Sequence, residues 1–486
     1  MDRTHPLFRL SVPLAVLSLG ACVGAPELGP KPNPIAPQDV AAQRSLPGGP
    51  ATAWPGEGWW QGLGDPQLTA LIDEGLAHSP DVAAAAARLR QANGMARQAG
   101  AALLPRLDVQ GTVNAQKQSY NMGFPKEFVP KGWLDYGQVA ADASFDLDLW
   151  GRNRAALAAA TSEMRAASID AQQARLMLST GIALAYLDLD RLFAERDVAQ
   201  ATLDARIATQ KLVAGRLLNG LETRGSVRQS EAEVATARSQ LGAADQQIAV
   251  RRNQIAALAG AGPDRGLDIA RPALAAAVAA ALPADVTTDL VGRRPDIAAA
   301  RERLEAEASR IDVARADFFP AIRLSALVGL QSLGLGNLIE KDSTFGNAGP
   351  AVSLPIFHGG ELKGRYTAAR GRYDEAVANY DKAVLAAYGE VADAVTSRRL
   401  VSERLRDARA ALAASGEAYN IARLRYEGGL SNYLDVLAVE DRLLQARLAV
   451  AGLDAEARSL DVTLIRALGG GFAMRAADTA KDDPHG

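Results

Sequence analysis

The stretch SFDLDLWGR contains two aspartates and a glycine with the spacing of the first half of a calcium-binding loop. Asp146, Asp148 and Gly151 match loop positions one, three and six, where carboxylates bind the cation and glycine permits the turn. However, position five is Trp150, and position twelve, where a bidentate glutamate belongs, is Leu157. The stretch therefore argues against a calcium site and favours a β-strand with one polar and one apolar face.

Side chains that commonly serve as catalysts or metal ligands are scarce elsewhere. The chain has one cysteine and four histidines, and no pair of histidines has the spacing of a metal site. The HGG sequence at 358–360 resembles part of an oxyanion hole, but the chain lacks a G-x-S-x-G motif, a P-loop and a dinucleotide fingerprint. The sequence therefore predicts no enzymatic activity, no cofactor, no metal site and no catalytic residue.

The N-terminal residues are typical of a secreted lipoprotein. Two arginines precede a short apolar run, as in a signal peptide. The residues Leu-Gly-Ala-Cys at 19–22 resemble a bacterial lipobox, in which the cysteine is acylated. We therefore expect a signal peptide over 1–21, lipid attachment at Cys22 and a lipidated N-terminal linker over 22–60. A plain signal peptide followed by an incidental cysteine is the alternative.

The composition favours long helices and argues against a nucleic-acid partner. The formal net charge is −3, so the chain lacks the strongly basic field that nucleic acid attracts. Aromatic residues make up only 5%, and the abundant alanine is the strongest helix former. No later run reaches the roughly 18 apolar residues of a membrane-spanning helix. A chain of this kind that crosses a membrane must therefore do so as a closed β-barrel.

The chain contains an internal duplication. The sequence from Pro80 to Val113 aligns without a gap with the sequence from Pro295 to Val328. Further on, 216–221 matches 425–430. Spaced matches in one order indicate tandem repeats. We expect repeat one over 61–262, an inter-repeat equatorial segment over 263–292, repeat two over 293–471 and a flexible tail over 472–486.

Each repeat is expected to contain a helix, two strands, a very long helix and a shorter returning helix. Apolar and polar residues alternate for about ten residues in each expected strand, which is strand geometry and a length that suits a tilted membrane strand. Proline-free stretches of helix-forming residues follow. The expected strands lie at about 107–117, 137–149, 321–331 and 346–356. The expected long helices lie at about 153–219, 222–259, 361–427 and 431–468.

Four strands per chain cannot close a barrel, since about eight is the practical minimum. Open strand edges are not tolerated in lipid. If the strands cross a membrane, the chain must therefore form an oligomer. A dimer would supply eight strands and a trimer twelve.

The duplicated pattern, the lipobox and three short motifs resemble the TolC/OprM-type outer-membrane factor family. The motifs are WW…GDPQL at 59–68, LWGR at 149–152 and LPIFHGG at 354–360. The lipoprotein start resembles the outer membrane efflux lipoproteins of the NodT-like branch. The resemblance implies an α+β membrane protein that forms a homotrimer, with a 12-stranded β-barrel in the outer membrane of a Gram-negative bacterium. Long periplasmic helices would continue the barrel as a helical tube.

The resemblance also implies a function and partners. The family forms passive exit ducts of tripartite efflux systems, coupled by a periplasmic adaptor to an inner-membrane pump, here expected to be of the resistance-nodulation-division type. Outer-membrane lipid would surround the barrel and anchor the chain through Cys22, and drugs or other small molecules would be the cargo.

The same resemblance assigns candidate site residues. The turns between the long helices would meet the adaptor, through Gly220, Leu221, Gly429 and Leu430. Leu434 and Asp435 would line the periplasmic aperture, where three copies bring three carboxylates together. Asp142, Asp146 and Asp148 would be lumen-facing acids of the second strand.

Two other functions are compatible with parts of the sequence. A periplasmic coiled-coil lipoprotein, acting as a structural tether or adaptor, would explain the helices and Cys22 but not the four strands. A duct of the same construction that serves type I protein secretion would differ only in its cargo.

Overall fold

The computed structural model of this chain describes residues 26–46, 53–121, 123–275, 283 and 286–473. The expected signal peptide, the expected lipid-attachment residue Cys22 and most of the expected tail, from 474 onward, lie outside the described residues.

The described helices and strands repeat one order. The first half contains α1 (Pro66–His78), α2 (Pro80–Ala101), β1 (Arg106–Gln116), β2 (Leu134–Leu147), α3 (Arg152–Leu218), α4 (Arg224–Leu258) and the short α5 (Asp264–Leu267). The second half contains α6 (Val286–Arg293), α7 (Pro295–Ala316), β3 (Ala321–Leu333), β4 (Thr344–Ser353), α8 (Glu361–Glu427) and α9 (Tyr433–Ala467). The predicted order of helix, two strands, long helix and returning helix is confirmed in both halves.

Corresponding helices of the two repeats have equal lengths. There are 22 residues in α2 and α7, 67 in α3 and α8, and 35 in α4 and α9. Local sequence sets several of these bounds. Pro80 and Pro295 occupy the first helical position, where the missing N–H costs nothing. Within the described part of the chain, no helix combines the length and the apolar character needed to cross a membrane.

The four strands form one antiparallel sheet in the order β1-β2-β3-β4. Cross-strand partners share a face, so the register sorts the side chains into two sets. One face contains mainly polar residues: Arg106, Asp108, Gln110, Thr112, Asn114, Gln138, Asp142, Ser144, Asp146, Arg323, Ser325, Gln331 and Asn347. The other face is mainly apolar: Leu107, Val109, Val113, Val139, Ala141, Ala143, Phe145, Leu147, Ile322, Leu324, Ala326, Val328, Leu330 and Val352. Asp135, Ser332 and Thr344 also lie on this face, near the ends of their strands.

The structure corrects the assignment of Asp148 as a strand acid. The second strand, expected to run to about 149, ends at Leu147. The Asp148 carboxylate accepts hydrogen bonds at 2.9 Å from the backbone N–H groups of Asn153 and Arg154. The first N–H groups of a helix have no partner within the helix, so Asp148 satisfies two of them at the start of α3. The alternating pattern continued past the strand and therefore placed this residue wrongly.

The fourth strand also ends earlier than expected. It was expected over about 346–356 but spans Thr344–Ser353. Its neighbour β3 begins at Ala321, which pairs with Ser353. No residue of β3 is left to pair with the chain beyond Ser353, and Pro355 has no N–H to donate.

The described residues divide into two compact units, and each takes segments from both repeats. The first combines the described parts of 1–34, 90–166 and 301–379, and the second those of 35–89, 167–300 and 380–486. The repeats are therefore units of sequence that do not coincide with the compact units.

The first unit contains the sheet and a segment of the expected linker that is fastened to α8. Arg370 donates hydrogen bonds to the carbonyl oxygens of Gly29, at 3.1 Å, and Pro30. The ammonium group of Lys31 lies 5.5 Å from the centre of the Tyr373 ring. This part of the linker is therefore bound along a helix.

The second unit has a core around Tyr186 of α3. Its ring is fully buried against α1, α3 and α4, and its hydroxyl donates to Asp65 at 2.7 Å. Asp65 also accepts from the backbone N–H of Gln67 and so begins α1. A smaller buried cluster in this unit contains Val213, Tyr426, Tyr433 and Val436 and lies beside the turns between the long helices.

Candidate functional site

The turn between α3 and α4 ends the first long helix in a Schellman motif. Gly220 has a φ of 72°, a left-handed conformation that glycine adopts without a Cβ clash. The N–H of Gly220 donates to the carbonyl of Leu217 at 3.0 Å, and the N–H of Leu221 to that of Arg216 at 2.9 Å. We call the residues 216–224 tip one.

The turn between α8 and α9 has the same backbone geometry. Gly429 has a φ of 75°. Its N–H donates to the carbonyl of Tyr426 at 3.0 Å, and the N–H of Leu430 donates to that of Arg425 at 2.8 Å. We call the aligned residues 425–433 tip two. The glycines that the sequence repeat aligned therefore end their helices in the same way.

Exposed leucines surround both tips. The side chains of Leu221 and Leu430 are 65% and 72% exposed, and that of Leu434 is 62% exposed. Apolar side chains that are exposed as a contiguous patch often mark a binding surface. The structure thus places Leu221, Leu430 and Leu434 where a partner could reach them in the isolated chain.

Asp435 caps the start of α9, which is a structural role that was not predicted. Asn432 accepts a hydrogen bond from the backbone N–H of Asp435 at 2.9 Å, and the Asp435 carboxylate accepts from the N–H of Asn432 at 3.3 Å. This reciprocal pair is a capping box at the start of α9. The signal was present in the sequence as an asparagine followed three residues later by an acid.

A contact between the two tips was not predicted. The hydroxyl of Tyr426, which is 1% exposed, donates to Glu222 at 2.9 Å. Arg216 lies over the Tyr426 ring at 4.8 Å and donates to the Tyr426 carbonyl at 3.1 Å. Tip one therefore supplies partners to the end of α8. The sequence hint was the pair of tyrosines, Tyr426 and Tyr433, on either side of Gly429.

The acidic side chain of Glu222 is held in its ionised form by this contact. Burial opposes ionisation of the Glu222 carboxyl. Hydrogen bonds from Ser226, Thr223 and Tyr426 outweigh burial and lower its pKa below the ordinary value.

The other candidate acids lie on the polar face of the sheet. Asp146 accepts from Arg323 on the neighbouring strand at 2.6 and 3.3 Å. Asp142 lies opposite Asp108, which accepts from Arg106 at 2.5 Å. Asp142 and Asp146 thus share a face, whereas Asp148 lies beyond the strand. Among the residues that the structure describes, no group of three or more histidines, cysteines and acids has the arrangement of a metal site.

Comparison with known proteins finds relatives and solved structures that are similar to this chain. The chain matches the family model described as outer membrane efflux protein over residues 71–261 and 287–470. The multidrug resistance outer membrane protein MdtP of Escherichia coli strain K12 is 30% identical over 87% of this chain and 88% of that protein. The pyoverdine export outer membrane protein OpmQ of Pseudomonas aeruginosa is 30% identical over 98% of this chain and 99% of that protein. The crystal structure of the outer membrane protein VceC of Vibrio cholerae covers 86% of this chain and 100% of its own, with 42% identity and a TM-score of 0.81.

Proposed function

We propose a detailed function from one premise, that this chain belongs to the outer membrane efflux protein family. It is the outer-membrane channel component of an efflux system. Members of this family are channel proteins, and we propose that this chain has no enzymatic activity of its own. The structural observation that best supports the proposal is the four-stranded sheet with one polar and one apolar face.

The fold class is that of a trimeric channel, in which four strands from each chain contribute to a 12-stranded β-barrel that a helical barrel continues. A closed barrel leaves no strand edge in lipid. The outer strands β1 and β4 would then pair with neighbouring copies. The apolar face would meet lipid and the polar face would line the lumen.

Channels of this family work with an adaptor and an inner-membrane pump. We propose that the pump is of the resistance-nodulation-division type and that Cys22 is acylated. The names of MdtP and OpmQ refer to multidrug resistance and pyoverdine export. By this similarity, we propose that drugs or other small molecules are the cargo. The alternatives of a structural lipoprotein and of a type I secretion duct are not favoured.

The tips are proposed to contact the adaptor. Gly220 and Gly429 set the backbone, and the exposed Leu221 and Leu430 offer apolar contacts. Replacing both leucines by aspartate should abolish drug resistance in a strain that depends on this channel, while trimers still reach the outer membrane. Leu267→Asp is the matched control, because Leu267 is 75% exposed but lies in α5, outside the tips. Equal loss of resistance in the control would contradict the assignment.

Leu434 and Asp435 are proposed to form the periplasmic aperture. Both are exposed in the first turn of α9, and three copies would place a ring of carboxylates at a narrow point. Asp435→Asn removes the charge but keeps an oxygen for the capping box. It should lower the cation selectivity of single channels in planar bilayers. Asn432→Ala weakens the capping box without changing charge and should leave selectivity unchanged, so the same selectivity loss in both would contradict the aperture role.

Asp142 and Asp146 are proposed to tune the lumen of the barrel. Their face also contains Arg106, Arg323 and Asp108. That is three acids against two arginines, a net charge of −1 per chain. Asp142→Asn should therefore make the barrel less favourable to cations, with a smaller effect than Asp435→Asn because the barrel is wider than an aperture.

A further inference from the structure

A buried charged cluster lies on three helices of the second unit, apart from the tips and the sheet. Arg206 of α3 has a side chain that is 6% exposed. Its Nη1 pairs with Glu233 of α4, and its Nη2 lies 2.8 Å from Asp441 of α9. Its Nε lies 3.5 Å from an oxygen of Glu440, also on α9, whose side chain is 8% exposed. Three carboxylates therefore surround one guanidinium group.

Glu440 is the acid with the poorest partner. The two Nη groups of Arg206 donate to Glu233 and Asp441. The Nε of Arg206 and the Oε1 of Glu440 are both buried and face each other at 3.5 Å without good hydrogen-bond geometry, and within the described structure neither atom has another hydrogen-bond partner. When all four groups are ionised, one positive charge faces three negative charges, which is a net charge of −2. The side chains of Arg206 and Glu440 are buried, whereas that of Glu233 is 21% exposed and that of Asp441 is 57% exposed.

Of the groups that act most strongly on the Glu440 carboxyl, Arg206 is the cation and Asp441 and Glu233 are acids. Arg423, Arg447 and Glu427 act on the neighbouring Tyr419. The phenols of Tyr419 on α8 and Tyr433 on α9 are further electrostatic neighbours of Glu440. Burial raises the pKa of both phenols, so they stay neutral near pH 7. Burial likewise raises the pKa of the Glu440 carboxyl, and the attraction of Arg206 does not cancel this effect.

We propose that Glu440 is a proton-binding site whose protonation tightens the association of α3, α4 and α9 beside the channel aperture. A proton on Glu440 lowers the net charge of the cluster from −2 to −1 and leaves Arg206 bonded to Glu233 and Asp441. In an ion pair between helices, the ionised acid stabilises the contact. Here the ionised form of Glu440 weakens it.

The direction of the pH effect follows from the proton balance. Because the folded state binds the proton of Glu440 more tightly than the unfolded chain, the stability of the contact falls as the pH rises through the Glu440 pKa. Glu440 lies seven residues after the first residue of α9, which is about two turns and about 10 Å. On the proposed function, on which this consequence rests, acid would keep the aperture closed and a rising pH would increase its resting conductance.

Hydrogen exchange of the trimer in detergent tests the site without requiring channel activity. After correction for the intrinsic pH dependence of exchange, protection of the peptide that contains 436–446 should fall as the pH rises from about 5 to about 8.5, by up to tenfold per pH unit between the folded and unfolded pKa values. Glu440→Gln imitates the protonated side chain. It should remove this dependence and be at least as protected as the wild type at the highest pH.

Two further variants keep the test decisive. Glu456→Gln is the matched control, because Glu456 lies on the same helix, is 45% exposed and sits 3.5 Å from Arg404, and it should keep the wild-type pH dependence. Glu440→Met keeps the side-chain volume without a charge, and it replaces Glu440→Gln in the test if the glutamine variant does not form trimers. Faster exchange in both Glu440 variants than in the wild type at high pH would overturn the proposal, since it would show that the ionised carboxylate stabilises the contact.

Channel recordings separate this inference from the proposed function. If exchange behaves as expected but the trimer forms no channels, the proton site stands and the channel assignment fails. If channels form and Glu440→Gln conducts with the same pH dependence as the wild type, the role in closing the aperture is overturned.

Discussion

Tip one and tip two have the same backbone but different side-chain surroundings. Both have a glycine with a φ near 70° and the same two helix-ending hydrogen bonds. At tip two, Tyr426 and Tyr433 are buried. The aligned residues at tip one are Leu217, which is half-buried, and Arg224, which is exposed. Tip two therefore carries two buried aromatic side chains at the helix ends, whereas the aligned positions of tip one are half-buried or exposed; the turn residues themselves are mostly exposed at both tips.

The difference indicates that the backbone of the turn and the side chains that flank it are under separate constraints, because the two tips share the first but not the second. A left-handed glycine is the cheapest way to end a helix before a short turn, so both repeats retain it. The side chains around it are free to diverge once one tip supplies partners to the other, as Arg216 does for Tyr426. Each prediction below would break or sharpen this comparison.

The largest expected effect is on the packing of tip two. Tyr426→Ala should destabilise the tip by about 3 to 5 kcal/mol, because it empties a buried aromatic site. The aligned change at tip one, Leu217→Ala, should cost about 1 to 2 kcal/mol, because that side chain is only half-buried. Hydrogen exchange of the peptides around the two tips measures both. Equal effects would mean that the tips are packed alike.

The next effect should be symmetric. Gly220→Ala and Gly429→Ala should each cost about 1 to 2 kcal/mol, because alanine is strained in the left-handed conformation. Gly416→Ala in the interior of α8 is the control. Its Cβ meets no atom within 4 Å, and the change should stabilise the helix by about 0.5 to 1 kcal/mol. Local exchange rates report all three, and a cost at only one tip would show that the turns differ in strain.

A smaller effect is expected at the helix starts. Asn432→Ala and Thr223→Ala each remove a side chain that accepts from the third residue of the following helix, and each should cost about 1 kcal/mol. At tip two the cost should depend on Asp435, because the capping box is reciprocal. The hydroxyl oxygens of Thr223 and Ser226 lie 3.1 Å apart, so both helix starts should show coupling in a double-mutant cycle. The coupling should be larger for Asn432 with Asp435, where a carboxylate accepts the second hydrogen bond, and equal couplings would remove the contrast.

The smallest expected effect is that of pH on the contact between the tips. Because the pKa of Glu222 is lowered in the folded state, its contribution is present above the unfolded value of about 4.3 and is lost as the pH falls through the folded pKa. Exchange at the tips should therefore accelerate in acid, which is opposite in sign to the change expected at Glu440. Tyr426→Phe should reduce this acceleration, and an unchanged acid response would assign it to other groups.

Sequence patterns predicted those parts of the fold that depend on local signals. Proline and glycine positions, alternation and the aligned repeats gave the order of elements and the ends of the long helices to within about two residues. The family prediction was confirmed by the comparisons. The predicted end of β2 was wrong because the alternation of apolar and polar residues continues through Asp148. That residue caps the following helix and does not extend the strand.

Contacts between residues that are far apart in the chain could not be predicted from sequence patterns. Arg206 meets residues 27 and 235 positions away, and nothing in the local sequence of any one helix signals that meeting. The capping box of Asp435, by contrast, could have been predicted, since its two residues are only three positions apart in the sequence. The roles of the tips, of Asp435 and of the strand acids in transport stay predictions, because they depend on copies and partners that a single chain does not contain.

The equal lengths of the paired helices restrict how this chain can change. One residue added to α3 alone would move tip one by about 1.5 Å and turn its side chains by about 100° relative to tip two. Arg216 would then no longer reach Tyr426. Length variants should therefore be tolerated when both repeats change together, in steps of seven residues that preserve the helical register. A gene that arose by duplication would, on this view, go on changing its length in duplicate, and an engineer who wished to lengthen the duct would have to extend the outgoing and the returning helix of both repeats.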